Sequence, residues 1–298
     1  MTQNIIALSG KLQSGKTTAT NFLFGLEMLS LNLVDTFKIN EYGKLVVPTE
    51  FQNESSKEIR MEVFDPINVN PNTYEYLSLN LWPTVKQYNF ADTLKRDVCI
   101  NILGLTYEQC YGSDEEKNSP TKLKWEDMPG VVTENLSEMM EIVNGTLKSK
   151  EVRGRLGKYY DVLGKTVYHT PGYMTGRDVM QFVGTEVFRR MYGDVWVDTL
   201  IRQIKSEGTK LALIGDCRFP NEVKGIQDAG GKVIRLTRGQ NQQSKHESEV
   251  ALDQDRFDWK NFDAVLDNEN MSIDEQNNAL YSILDEMNVL PYKLDLKK

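Results

Sequence analysis

The chain has 298 residues, with 43 Asp plus Glu against 35 Lys plus Arg and a formal charge of −8. Hydrophobic residues at 40% and charged residues at 26% describe a globular chain that can build a substantial core, which excludes disorder as its main state. At about 150 residues per domain the length suits two domains, or one α/β domain with large insertions.

The first element is the most informative. Asn4-Ile5-Ile6-Ala7-Leu8-Ser9 is an apolar run of strand length, and Gly10-Lys11-Leu12-Gln13-Ser14-Gly15-Lys16-Thr17 after it matches G-x-x-x-x-G-K-S/T in full. Phe22, Leu23, Leu26 and Leu29 then recur at helical spacing. Strand, glycine loop and helix stand in the order a phosphate cradle requires. In such a loop the glycines let backbone N–H groups turn inward, and the helix adds its positive end. Gly10, Lys11, Ser14, Gly15 and Thr18 would belong to the cradle, Lys16 would reach the β- and γ-phosphates, and Thr17 would place its hydroxyl on Mg²⁺. The bland alternative is a glycine turn with a surface lysine.

Phe37 to Val47 and Lys57 to Phe64 alternate in polarity, which predicts a hairpin in an exposed insertion at about 31–84. Val85 to Phe90 reads as a second core strand, and from Asp92 onward Leu94, Val98, Ile102 and Leu103 mark a helix. Asp92 and Lys95 at that strand tip could face a transferring phosphate, though Asp92 could equally cap its helix.

Between Gly112 and Gly176 charged and turn residues dominate, and Pro120, Pro129 and Pro171 interrupt the pattern. Only Leu136 to Leu147 reads as a helix, so 112–176 is expected to be a large, mobile, lid-like insertion, with Arg153 and Arg155 as lid contacts. A helical region follows from about Gly176 to Ser206, broken near Gly193-Asp194. Thr175 with Asp178 has the spacing of a helix start, which sets Arg177 and Gln181 on one face. That combination suits a monophosphate with an amide beside it to read a base edge. Arg189 and Arg190 add charge, or snorkel and pair with Glu186 or Asp194.

Strands are expected at Lys210 to Gly215, Lys232 to Leu236 and Asp263 to Leu266, with helices at Asn221 to Ala229 and Ile273 to Met287. The first of these strands ends in Asp216-Cys217-Arg218. Ligands of open α/β sheets bind at strand carboxyl ends, so Asp216 could hold Mg²⁺ and Arg218 neutralise phosphate oxygens; a solvated ion pair is the plainer reading. His246 and Glu249 lie in a polar loop, and a lone His without metal-spaced partners is more often structural. Five strands alternating with helices imply a parallel sheet covered on both faces.

Three cysteines without metal spacing, Cys99, Cys110 and Cys217, argue against zinc or a disulfide framework. No apolar run approaches the roughly 18 residues of a membrane helix. The start lacks the basic region of a signal peptide, so a cytoplasmic location is expected. The acidic balance favours small anionic substrates over extended nucleic acid. A symmetric homodimer would be unexceptional, but no feature demands one.

Taken together, Gly10 to Thr17, Asn89-Phe90-Ala91-Asp92 to Lys95, Arg177 to Glu186 with Trp196, Asp216 to Glu222, and His246 to Glu249 resemble, in order, the phage-type deoxynucleoside monophosphate kinases. The resemblance covers approximately 1–30, 85–110 and 174–285. It implies a three-layer P-loop kinase fold as one domain over 1–298, with a five-stranded parallel sheet and insertions at 31–84 and 112–176. It also implies transfer of the γ-phosphate of ATP, with Mg²⁺, to a deoxynucleoside 5′-monophosphate, in the cytoplasm of an infected bacterium. Lys16, Arg177, Arg218 and, more loosely, Asp92 would then be catalytic. Arg177, Gln181, Lys95 and Arg189 would bind the acceptor, and Thr17 and Asp216 the metal. Two rivals keep the loop but differ in what it serves, one being a kinase of a modified pyrimidine within DNA and the other a P-loop ATPase acting through a partner.

Overall fold

The computed structural model describes residues 3–53, 56–66, 71–136, 140–143, 146–149, 154–239 and 247–290. They form two compact units, Met1–Phe90 with Val197–Lys298, and Ala91–Trp196.

In chain order the first unit opens with β1 (Asn4–Ser9), α1 (Lys16–Ser30), β2 (Lys38–Ile39), β3 (Leu45–Asn53), β4 (Ser56–Val63), α2 (Pro71–Asn80) and β5 (Val85–Tyr88). The short α3 (Phe90–Asp92) leads into the second unit, where π-helical hydrogen bonding continues over Thr93–Ile102. There follow α4 (Tyr107–Tyr111), α5 (Asp114–Lys117), β6 (Pro120–Lys124), β7 (Val132–Leu136), β8 (Met140–Val143) and β9 (Thr146–Ser149). Then come β10 (Gly154–Tyr160), β11 (Thr166–His169), β12 (Tyr173–Thr175) and α6 (Gly176–Gln181), which runs on as a π-helical stretch to Arg189. The chain returns to the first unit within α7 (Val195–Glu207) and closes with β13 (Leu211–Cys217), α8 (Pro220–Asp228), β14 (Lys232–Leu236), α9 (Glu247–Val250), β15 (Ala264–Leu266) and α10 (Ile273–Glu286).

The first unit is built on a five-stranded sheet of order β15-β14-β1-β13-β5 whose pairings are all parallel. A parallel sheet is covered on both faces, which is why its central β1 and most of β13 read as apolar runs. Successive side chains of β1 point to opposite faces. Ile6 and Leu8 enter one core with Leu23 and Leu26 of α1 and Leu280 and Leu284 of α10. Ile5 and Ala7 enter the other with Leu200 and Ile204 of α7 and Val223 and Ile226 of α8. These are the three layers the sequence predicts, with five strands as expected. From the central β1 the winding goes to β5 and β13 on one side and to β14 on the other. The carboxyl ends of β1 and β13 therefore flank the point where strand order reverses, the general location of ligand crevices in such sheets.

The expected hairpin is present and belongs to a three-stranded antiparallel sheet, β2-β3-β4. Its first turn is closed by Asn40, whose N–H donates to Lys44 O at 3.0 Å.

The second unit corrects the expectation of a helix over Leu136 to Leu147. Leu136 ends β7, and Met140–Val143 pairs antiparallel with Thr146–Ser149. The residues between the paired Val143 and Thr146 are Asn144-Gly145, the commonest two-residue hairpin signal. Between Gly112 and Gly176 the described residues include short paired strands: β10 pairs with β7 and β11, and β12 with β6. Its core gathers Val98, Cys99, Leu105, Cys110, Trp125, Met174, Val179, Phe182 and Val183. Among the described residues no helix is long and apolar enough to cross a membrane.

Candidate functional site

The loop after β1 takes positive φ angles at Gly10, Gln13 and Gly15, of 156°, 60° and 95°. Gly15 needs to be glycine twice over. Its conformation is one that side chains rarely adopt, and a Cβ there would collide with the Gln276 amide. That amide belongs to the loop's support: Gln276 Nε2 donates to Gly15 O at 3.3 Å, and Asn268 Nδ2 donates to Ser14 O at 2.8 Å and Gln276 Oε1 at 2.6 Å. The loop is thus held from beneath by α10 and the turn before it.

Lys16 folds back over the loop, donating from Nζ to Gly10 O at 2.7 Å, Lys11 O at 2.6 Å and Ser14 Oγ at 3.3 Å. Its side chain is 8% exposed. Burial, with the nearby guanidinium charges of Arg218 and Arg235, lowers its pKa from 10.5 to about 7. A cation so placed gains from an incoming anion.

Around it opens a cavity of about 450 Å³ lined by Ser14, Gly15, Lys16, Thr17, Thr18, Asp216 and Arg218. The residues read from β1–α1 and from the tip of β13 therefore converge on one space. Asp216 is oriented by the N–H of Phe90, which donates to both carboxylate oxygens at 3.1 Å. Lys11, by contrast, directs its ammonium to Asp253 at 2.7 Å. Glu41, Tyr42, Asn89 and Arg238 also line the cavity. Glu41 and Tyr42 come from the β2–β3 turn, which is tied to α1 by the Asn21 amide donating to Gly43 O at 2.9 Å. Nothing in their local sequence announces that position; only the path of the hairpin gives it.

Most of the other predicted residues lie in the second unit. Asp92 accepts the Tyr111 hydroxyl at 3.1 Å, and Lys95 Nζ stands 4.7 Å from the centre of the Tyr111 ring. At the start of α6 the predicted capping pair is formed: Asp178 N–H donates to Thr175 Oγ1 at 3.1 Å and Thr175 N–H to Asp178 Oδ2 at 2.9 Å. Arg177 in its first turn pairs with Asp114 at 2.6 Å. Gln181 is exposed and Arg189 half-buried, while Arg190 donates to Tyr160 O at 3.1 Å. Arg155 lies 3.6 Å from Glu126; Arg153 and His246 fall outside the described residues.

An acceptor set of one hydroxyl and one carboxylate, Thr17 and Asp216, suits Mg²⁺, which binds through one or two carboxylates plus substrate phosphates and keeps several waters. Among the described residues no cluster of three or more His, Cys, Asp or Glu could hold a metal.

Sheet order, glycine loop and the position of the cavity are those of a P-loop kinase fold. The profile of the family described as deoxynucleotide monophosphate kinase matches residues 80–278, and the chain belongs to that family. No curated protein matches the chain. The matched span takes in β13 and its Asp216 and Arg218, and α6 with Arg177, but begins beyond the glycine loop, which rests on its own geometry.

Proposed function

We propose that the chain transfers the γ-phosphoryl group of ATP to a deoxynucleoside 5′-monophosphate and so supplies precursors for viral DNA synthesis. The observation that carries this reading is the convergence of Lys16, Thr17, Asp216 and Arg218 on one cavity at the carboxyl ends of β1 and β13. Phosphoryl transfer demands positioning and charge neutralisation more than covalent chemistry, because the moving group carries diffuse negative charge. Lys16 and the loop N–H groups hold the donor's phosphates. Arg218 neutralises oxygens of the group in transit. Thr17 and Asp216 would hold Mg²⁺, which when bound offsets phosphate charge. Arg177 and Gln181 are the proposed acceptor contacts, with Lys95 and Arg189 as further cations and Asp92 as an orienting carboxylate. The acceptor phosphate is already ionised near neutral pH, so no strong general base is required.

The test is ADP release by the full-length chain with each deoxynucleoside monophosphate in turn, run beside Lys16→Ala. Turnover should depend on the monophosphate and fall by at least about 100-fold in the variant. Hydrolysis indifferent to monophosphate would move the protein to ATPase chemistry.

A further inference from the structure

Two carboxylates beside the glycine loop pair with the cations Lys11 and Arg218. The chain leaving α9 is seated by Ala251 and Leu252, 7% and 2% exposed, and by the Trp259 indole donating to Leu252 O at 2.8 Å. From α9 and this anchored segment two carboxylates reach the loop. Asp253 Oδ2 takes Lys11 Nζ at 2.7 Å, and its Oδ1 lies 3.7 Å from Nη2 of the buried Arg235, which donates to Ser9 Oγ at 3.0 Å. Glu249 divides its two oxygens between different elements. Oε2 accepts the backbone N–H of Leu12 at 2.8 Å, and Oε1 is ion-paired with Nη1 of Arg218.

Arg218 is thereby held at both ends. Its backbone N–H donates at 2.7 Å to Glu222, itself 2% exposed, and its guanidinium is tied through Glu249 to the loop. A guanidinium carries five N–H donors, so pairing at Nη1 leaves donors for phosphate oxygens. A long side chain fixed in advance meets those oxygens without first being ordered.

We infer that Glu249 is a positioning residue for phosphoryl transfer, linking the Arg218 guanidinium to the Leu12 backbone so that the cation keeps a constant place relative to the glycine loop. The inference rests on the reading of that loop as the donor's phosphate site. It assigns a job to a carboxylate that no spacing rule marks, more than thirty residues from its arginine.

Glu249→Gln tests it in the full-length chain, because the amide still accepts from Leu12 but no longer pairs with Arg218. Turnover should fall about 10- to 100-fold, with the KM for ATP within about threefold of wild type. In a cycle with Arg218→Ala, the double variant should be no slower than Arg218→Ala alone. Glu249→Asp, too short to span both partners, should lose turnover likewise, and stands in if the Gln variant does not fold. Near-normal turnover, a loss that adds in full to that of Arg218→Ala, or faster turnover of the kind a carboxylate competing with phosphate would give, overturns the inference. If Lys16→Ala and Arg218→Ala both keep wild-type turnover, the loop reading itself has failed. Normal Glu249→Gln kinetics beside an inactive Lys16→Ala reject the positioning role alone.

Discussion

Lys16 is the residue whose surroundings make the sharpest demand. The Asp216 carboxylate favours the ammonium form, but burial and the neighbouring guanidiniums of Arg218 and Arg235 outweigh it and bring the pKa down from 10.5 to about 7. The folded chain therefore gives up this proton more readily than the unfolded one. Between pH 7 and 10.5 the unfolded state binds more protons, and this residue's contribution makes stability rise with pH. Below pH 7 the full penalty of a buried cation is present. A polyphosphate at the loop reverses the balance by supplying opposite charge. Binding of a non-hydrolysable ATP analogue near pH 8 should accordingly take up a proton, seen as a buffer-dependent heat in calorimetry. Lys16→Met should abolish that dependence; if it persists unchanged, the proton goes elsewhere. The need for glycine at position 15 is marked by the motif, while the close approach of Gln276 that reinforces it comes from the tertiary fold.

At the scale of elements, α10 does more than cover the sheet. Its start is capped in both directions, Glu275 N–H donating to Ser272 Oγ at 3.2 Å and Ser272 N–H to Glu275 Oε2 at 2.7 Å. One turn later it presents Gln276 to Gly15. Ser272→Ala should lower stability by about 1 kcal/mol in urea unfolding, while Ser272→Asp, which keeps an acceptor, should stay close to wild type. A loss in the Asp variant equal to that in Ala would show that the cap is not what stabilises the helix start. The same scale explains why Leu136 to Leu147 forms strands where a helix is expected. A few apolar residues at mixed spacing fit a helix as well as two short strands, and it is the Asn144-Gly145 turn signal that favours the strands. The core strands are easier to read, since β1 and the first half of β13 are apolar on both faces.

For the whole molecule, charge and architecture bear on the rival in which the acceptor is a base within DNA. With a net charge of −8 the chain lacks the excess of basic residues from which nucleic-acid affinity mostly derives. Fluorescence anisotropy with labelled single- and double-stranded oligonucleotides should show no binding near physiological salt. Salt-sensitive binding with a steep slope would restore that rival. Membership of the deoxynucleotide monophosphate kinase family agrees with a free nucleotide as acceptor.

By itself the amino-acid order determined the strand–loop–helix start, the three-layer parallel architecture and the capped start of α6, and it marked Lys16, Thr17, Asp216 and Arg218 as candidate site residues. Each of these is written in neighbouring residues: a period, a turn or a motif with its flanks. Only the tertiary structure decided that Glu249 and Asp253 meet the loop, that Lys11 faces Asp253, that the β2–β3 turn brings Glu41 and Tyr42 to the cavity, and that residues 112–176 contribute paired strands. Those outcomes depend on contacts between segments far apart in the chain. An exposed-looking glutamate in a polar loop carries no local mark of the partner to which folding will bring it.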